Sequence, residues 1–317
     1  MSASEGKTIA VIGSGLIGRS WAMVFVSGGY RVKIYDNKPG HASKAIEDIS
    51  EQLKELKQAN MLRGSLSAED QLALISSHED LKGTVEGAFF IQECVFEDLQ
   101  AKHSVFQAVE SLVGERVVLS TSTSCLQPSQ VFLPVQNKKR CIVSHPVNPP
   151  YYVRLVELVP HPDTEPSVVD STFALMKEVG QVPVRLRREI DGFALNRVQY
   201  AIIAEAWRLV KDGIISVEDI DLVMTEGLGM RYAFIGPMET MHLNAQGLED
   251  YLKRYREGMK RVLSSFGPVP EFSGEEVKSI NQDMCDLIPS DPQHLTARRE
   301  RRDRCLLGLA QLKKGLE

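Results

Sequence analysis

The chain has 317 residues, of which 43% are hydrophobic and 25% charged, with a formal net charge of −5. That is globular composition, and at roughly 100–200 residues per domain the length predicts two domains. The acidic balance offers no basic face to nucleic acid or an anionic membrane, and no stretch reaches the ~18 apolar residues of a membrane span.

The N-terminus, MSASEGKTIAVIG, runs from a polar tail straight into a strand and carries no signal peptide. Residues 8–12, TIAVI, are a β-branched run; GSGLIG follows, then an apolar helical stretch from Leu16 to Val26, stopped by Gly28-Gly29. RVKIYD (31–36) reads as a second strand, so the chain opens with a β-turn-α-β unit of a parallel sheet. Residues 40–72 read as one long charged helix, with Ile46, Ile49, Leu53 and Leu56 at spacings of three and four. Candidate strands follow at 89–95, 116–122, 140–146, 154–159 and 181–187, with helical patterns at 98–113 and 166–179 between them. After Asp191-Gly192 strand character is lost, and 193–212, 216–226, 239–265, 273–287 and 293–314 read as helices.

The predicted fold is therefore an α/β, Rossmann-like doubly wound sheet domain over 1–189, followed by an all-helical C-terminal domain over 190–317. The charge run RRERRDR (298–304) places Glu300 four residues before Arg304 and Arg299 four before Asp303, which suits a solvated helix face. Five scattered cysteines, Cys94, Cys125, Cys141, Cys285 and Cys305, show neither C-x-x-C nor histidine-ligand spacing. They predict free thiols in a reducing compartment, no disulfide framework and no metal site. The expectation is a cytosolic, soluble protein.

The glycine motif has the context that gives it meaning. Gly13-Ser14-Gly15-Leu16-Ile17-Gly18 follows a strand, opens a helix and precedes a strand ending in an acid. Gly13 permits the tight turn, Gly15 lets backbone approach a pyrophosphate, and Gly18 lets helix pack on strand. The pyrophosphate would sit on the unpaired N–H groups of that helix. Asp36 can accept hydrogen bonds from both ribose hydroxyls and would repel a 2′-phosphate, which favours NAD over NADP, with Lys38 nearby. Glu97 and Lys102 follow the strand 89–95. From the residues alone they read as a helix N-terminal acid and a solvated lysine.

Two further strands deliver polar groups to the ligand-binding edge of such a sheet: RVVLSTSTS brings Ser122 and Ser124, and RCIVSHP brings His145. Oxidising an alcohol requires removal of its proton, and a neutral imidazole suits that task. Its second nitrogen needs a carboxylate to fix the tautomer and stabilise the cation. Glu157 is the candidate, because its apolar strand makes an unpaired carboxylate costly. Ser124 and Asn148 can hydrogen-bond either the substrate oxygen or the nicotinamide amide. Asn196 lies in the first turn of the first helix after the boundary, and the prolines around His145 stiffen its loop.

Taken in order, Gly13–Gly18, Ser-Thr-Ser124, His145-Pro-Val-Asn148-Pro, Leu-Val-Glu157 and Gly-Phe-Ala-Leu-Asn196-Arg resemble the 3-hydroxyacyl-CoA dehydrogenase family over essentially the whole chain. The resemblance implies an NAD-binding domain joined to a helical domain that assembles a homodimer. It implies His145 as base, Glu157 as its partner, and Ser124 and Asn196 as substrate-orienting groups. It places Glu97 and Lys102 on the cofactor. Within the family the resemblance narrows to cytosolic members that oxidise L-gulonate at its 3-hydroxyl. Two departures stand out. Pro-Val follows the histidine where the family usually has two aromatics. The segment Gly227-Leu-Gly229-Met-Arg231-Tyr-Ala-Phe-Ile-Gly236-Pro is longer than the family's glycine-proline segment and carries an arginine. Arg231 is expected to meet a free substrate carboxylate, which a thioester lacks. The rival expectations are a true 3-hydroxyacyl-CoA dehydrogenase, a structural use of the fold in lens, and a redox-sensing NAD-binding regulator.

Overall fold

The computed structural model describes residues 6–316. An eight-stranded sheet is built from β1 (Thr8–Ile12), β2 (Arg31–Tyr35), β3 (Ile75–Ser77), β4 (Ala88–Glu93), β5 (Val118–Thr121), β6 (Cys141–Pro146), β7 (Leu155–Pro160) and β8 (Val182–Arg185). Their order is β3-β2-β1-β4-β5-β6-β7-β8. The order reverses between β1 and β4, which places the crevice for a ligand at the ends of those two strands. Every neighbouring pair is parallel except β6 and β7, which are antiparallel.

Both sheet faces are covered. In β1, Ile9 and Val11 point into one apolar core and Ala10 and Ile12 into the other, the period-two signature of a strand buried on both sides. The first core takes α1 (Leu16–Ser27), α2 (His41–Gln58) and α7 (Pro166–Glu178) through residues such as Trp21, Phe25, Leu53 and Met176. The second takes α5 (Leu99–Glu110) and α6 (Pro128–Val131) through Phe106, Val109, Val131 and Phe132. Ile49, Leu53 and Leu56 are buried and Ile46 packs against the same core, as the helical spacing predicts.

The helix expected over 40–72 is divided. It ends at Ala59, with Asn60 at φ 55°, and α3 (Ala68–Ala73) starts anew behind a Ser67 cap. A left-handed Asn just past the last turn is a common helix stop. The three-residue edge strand β3 and the short helix α4 (Leu81–Val85) escaped the sequence reading because neither is long enough to show a period.

Two compact units result: Met1–Arg197 with Arg302–Glu317, and Val198–Arg301. The first turn of α8 (Leu195–Lys211) lies within the first unit, because its backbone N–H groups bond to a sheet carboxylate. The second unit comprises the rest of α8, then α9 (Val217–Leu222), a π-helical turn (Val223–Leu228), α10 (Gly229–Tyr232), α11 (Pro237–Leu243), α12 (Leu248–Ser264), α13 (Glu275–Leu287) and the start of α14 (Pro292–Lys314). Within it Trp207 meets Phe272 edge-on at 5.1 Å, the Arg208 guanidinium lies 5.4 Å from the Phe266 ring, and Lys211 pairs with Glu276 at 2.7 Å. The end of α14 returns to the first unit, where Leu307 packs on the core. The charge run on α14 is solvent-facing, but its ion pair is Arg302 with Asp303 at 2.8 Å, not the four-residue spacing expected. Fully hydrated arginines gain too little from any one pairing to select among neighbours. Among the described residues no helix is long and apolar enough to cross a membrane.

Candidate active site

The glycine loop joins β1 to α1 at the crevice. Gly13 has φ +100°, and a Cβ there would stand 2.6 Å from the Cys94 carbonyl oxygen at the end of β4. A Cβ on Gly18 would overlap the Gly13 carbonyl oxygen. A Cβ on Gly15, by contrast, would meet nothing, so the space above it is open. Gly15 is the N-cap of α1 and supplies no side chain, and no acid occupies the first turn. The helix thus presents bare N–H groups and its positive end to that open space, a fit for a pyrophosphate.

Asp36 follows β2 and anchors this loop. Its Oδ2 accepts the Ser14 N–H at 2.9 Å and the Ser14 hydroxyl at 2.7 Å, and its Oδ1 accepts the Lys38 N–H at 3.0 Å. Burial would raise its pKa, but these hydrogen bonds outweigh it and hold the carboxyl below its usual range. An ionised acid therefore stands beside the cradle, as an NAD site requires.

The chemistry-bearing groups converge beyond it. His145 in β6 and Glu157 in β7 are register partners across the antiparallel pair, and Nδ1 of the ring lies 2.8 Å from Glu157 Oε2. Both are nearly sealed, at 5% and 1% exposure. Glu157 Oε1 accepts the N–H groups of Ala194 and Leu195, each at 2.9 Å, so the carboxylate also caps α8. Burial alone would raise its pKa; the bonds from His145, Leu195 and Ala194 override that and leave it lowered. An ionised carboxylate can only accept, so Nδ1 is the donor of this bond, and in the neutral tautomer that it selects the lone pair is on Nε2. Nε2 has no hydrogen-bond partner among the described residues and is not sealed from solvent. The ring packs on Phe193, centroid to centroid 5.6 Å.

Ser124 and Asn196 meet directly: Asn196 Nδ2 donates to the Ser124 carbonyl at 2.7 Å. Ser122 lies beneath, accepting from Gln92 Nε2 at 2.7 Å and Trp21 Nε1 at 3.1 Å. Asn148 is exposed on the loop between β6 and β7. That loop is held from behind by Arg63, whose backbone N–H donates to the Tyr151 hydroxyl and whose guanidinium donates to the Tyr151 carbonyl. Arg231 is exposed on α10 of the second unit, in a segment that is helical, not a loop.

Lys102 is not solvated. It is 1% exposed, and its ammonium bonds both oxygens of the wholly buried Glu93, at 3.0 and 3.1 Å, and lies 3.3 Å from Glu97 Oε2. Burial would lower its pKa, but the two carboxylates more than offset this and keep it charged. Losing one partner of such a buried pair typically costs about 3–5 kcal/mol. Glu97 lies one residue before the cap of α5, Asp98, which accepts the Ala101 N–H. Glu97 Oε1 instead accepts the Thr123 hydroxyl at 2.5 Å and the Ser124 N–H at 2.8 Å. Glu93 went unread; the signal was an acid inside FFIQECV, an apolar run like that around Glu157.

Residues 8–190 match the 3-hydroxyacyl-CoA dehydrogenase NAD-binding domain, and residues 192–279 match the 3-hydroxyacyl-CoA dehydrogenase C-terminal domain. The chain is 59% identical to lambda-crystallin of Oryctolagus cuniculus over 317 residues, covering 100% of this chain and 99% of that one. It is 32% identical to L-carnitine dehydrogenase of Oceanobacillus iheyensis, over 83% of this chain and 81% of the other. Among solved structures, an NAD-dependent 5-formyl-3-hydroxy-2-methylpyridine 4-carboxylic acid 5-dehydrogenase superposes with a TM-score of 0.84 at 23% identity, covering 98% and 99% of the two chains, a likeness of fold. With its open glycine cradle, ionised Asp36 and matching domains, the chain belongs to the 3-hydroxyacyl-CoA dehydrogenase family of NAD-dependent enzymes that act on a hydroxyl group.

Proposed function

We propose that the chain oxidises the 3-hydroxyl of L-gulonate to 3-dehydro-L-gulonate in the cytosol, with His145 as general base. The observation that carries this is the His145–Glu157 pair at 2.8 Å, with its acceptor nitrogen open. Nε2 takes the hydroxyl proton; Nδ1–H stays bonded to Glu157, whose charge stabilises the imidazolium. The carbon bearing the hydroxyl would lose a hydride as the proton leaves, and NAD held on the glycine cradle would supply the acceptor for it. Ser124 can turn its hydroxyl, which lies 3.3 Å from Glu97 Oε1, to the substrate oxygen, and Asn196 has its amide oxygen and its second Nδ2 proton to offer, the first being given to the Ser124 carbonyl. Gly13, Gly15, Leu16, Ile17 and Gly18 would form the cradle for the pyrophosphate, and Asp36 would hold the ribose. Ser122, Glu97, Lys102 and Asn148 shape the nicotinamide side.

A free hydroxy acid is favoured over an acyl-CoA by Arg231, which would pair with a carboxylate. A relative named for L-carnitine, itself a 3-hydroxy acid with a free carboxylate, supports that substrate class. The second reading, a 3-hydroxyacyl-CoA dehydrogenase, draws on the family match itself. NADH formation from L-gulonate and from a 3-hydroxyacyl-CoA, measured side by side, decides between them. Turnover of neither would leave the structural role that the similarity to a crystallin suggests.

The homodimer is proposed on the second unit. Val217 is its sole buried apolar residue among those described, while Val198, Met230, Met238, Leu243 and Leu263 are each more than half exposed. Amphipathic helices with so much open apolar surface call for a second copy to cover them. Sedimentation of a monomer at micromolar concentration would sink this assembly.

A further inference from the structure

We infer that Glu93 is a positioning residue, acting through Lys102 and Glu97 to set the Ser124 backbone at the site. The inference rests on the dehydrogenase reading for its consequence, not for its contacts. Glu93 is the last residue of β4, and its register partner on β5 is Thr121. Its side chain is fully buried and satisfied by four donations. Oε1 accepts the Val95 N–H at 2.6 Å and Lys102 Nζ at 3.0 Å; Oε2 accepts the Thr121 hydroxyl at 2.5 Å and Lys102 Nζ at 3.1 Å. Burial pushes the Glu93 carboxyl up, against the Lys102 ammonium, the Thr121 hydroxyl and the Val95 N–H, which favour its charged form. Lys102 is thereby pinned on a buried carboxyl group whose two oxygens both accept from it. From that fixed point it reaches Oε2 of Glu97, which is itself on a partly exposed turn.

The consequence falls on Glu97. With Oε2 held by the ammonium, Oε1 is aimed at the Thr123 hydroxyl and the Ser124 N–H. Ser124 then offers its carbonyl to Asn196 Nδ2. A series of charge-assisted contacts thus runs from a buried acid to the Ser124 N–H, and a neutral hydrogen bond carries it on to Asn196, both residues being proposed to orient substrate. Two carboxylates share one ammonium, so the cluster carries one net negative charge when all are ionised. Without Glu93 the ammonium keeps Glu97 and a long contact, 3.5 Å, to the Val95 carbonyl, and is free to draw the Glu97 side chain inward, away from Ser124. Among the described residues Lys102 is the ion-pair partner of Glu97 Oε2, at 3.3 Å.

The test combines hydrogen exchange with a double-mutant cycle. In Glu93→Gln the Ser124 amide should exchange about tenfold faster than in the wild type, while β1 amides keep their protection. On the activity side, Glu93→Gln should lower kcat/KM for the hydroxy acid about tenfold, and should lower it no further when Glu97→Gln is already present. A purely structural role would give losses that multiply in the double variant, and this outcome overturns the proposal. So would unchanged exchange at Ser124. If Glu93→Gln alone does not fold, the charge-balanced Glu93→Gln/Lys102→Met chain is read in its place, with the same faster exchange expected and wild-type exchange refuting. A wild-type chain that turns over no hydroxy acid would refute the dehydrogenase reading, while the exchange result still decides the role of Glu93.

Discussion

His145 and Glu157 stand opposite each other on adjacent antiparallel strands, so strand register, not side-chain search, sets their 2.8 Å contact. Directly opposed residues share one face of a sheet and hold their Cβ atoms close. The same carboxylate receives two backbone N–H groups at the start of α8, which fixes its rotation as well as its position. In the proposed reaction such a preset imidazole would need no rearrangement to act as base.

Replacing the acid should therefore impair chemistry more than binding. In Glu157→Gln the side-chain oxygen can still accept from Ala194 and Leu195, which leaves the amide NH₂ facing Nδ1. The ring must then accept at Nδ1 and carry its proton on Nε2, the wrong tautomer for a base. We expect kcat to fall on the order of 10²–10⁴-fold, and His145→Ala to fall by a similar factor. NAD affinity, read by fluorescence titration, should be unchanged in both. A wild-type kcat in either variant would remove the imidazole from the mechanism.

Two glycines three residues apart should fail in opposite ways. Gly18→Ala forces a methyl onto the Gly13 carbonyl, and overpacking of that kind costs about 1–3 kcal/mol. Its Tm should drop by several degrees. Gly15→Ala adds a methyl to open space, so Tm should hold while NAD binding weakens because the methyl occupies the cradle. Calorimetry and NAD titration on the pair separate packing from binding. An unaffected NAD affinity in Gly15→Ala would place the pyrophosphate elsewhere.

Acid should destabilise the fold through Glu157. Its folded-state pKa lies below the ordinary carboxyl value, so near pH 4 the unfolded chain binds more protons than the folded one. Its contribution is complete above the ordinary value, about 4.3, and is lost as pH falls through the lower folded value. The urea midpoint should fall below about pH 5, and less steeply in Glu157→Gln than in the wild type. Equal slopes in the two chains would mean that the carboxylate carries no such linkage.

Substrate charge should be read by Arg231. Arg231→Ala should raise KM for L-gulonate far more than for a neutral analogue such as the corresponding lactone or amide, since only the acid offers a bidentate partner. Steady-state kinetics on both substrates checks this, and a KM for gulonate that does not move would exclude the arginine from recognition.

Much of this site was legible in the chain because its signals are local. Gly13 to Gly18 and Asp36 lie within one β-turn-α-β unit, where the required spacings are set by the turn and the helix. His145 was legible as a polar residue ending an apolar strand, and Glu157 as an acid that an apolar strand would not leave unpaired. Lys102 was misread as solvated because nothing near it in sequence marks a buried anion. Its partner Glu93 is nine residues away and is buried only because β5 lies alongside β4. The sequence by itself determined the glycine cradle, the placing of His145 at the end of an apolar strand and the class of fold, since backbone geometry over a few residues dictates each. Strand order, the antiparallel turn that sets Glu157 against His145, and the link from Glu93 through Lys102 to Ser124 were decided by tertiary structure alone. The reason is physical: the ionisation and direction of a buried charged group depend on neighbours that only the packing of distant segments supplies.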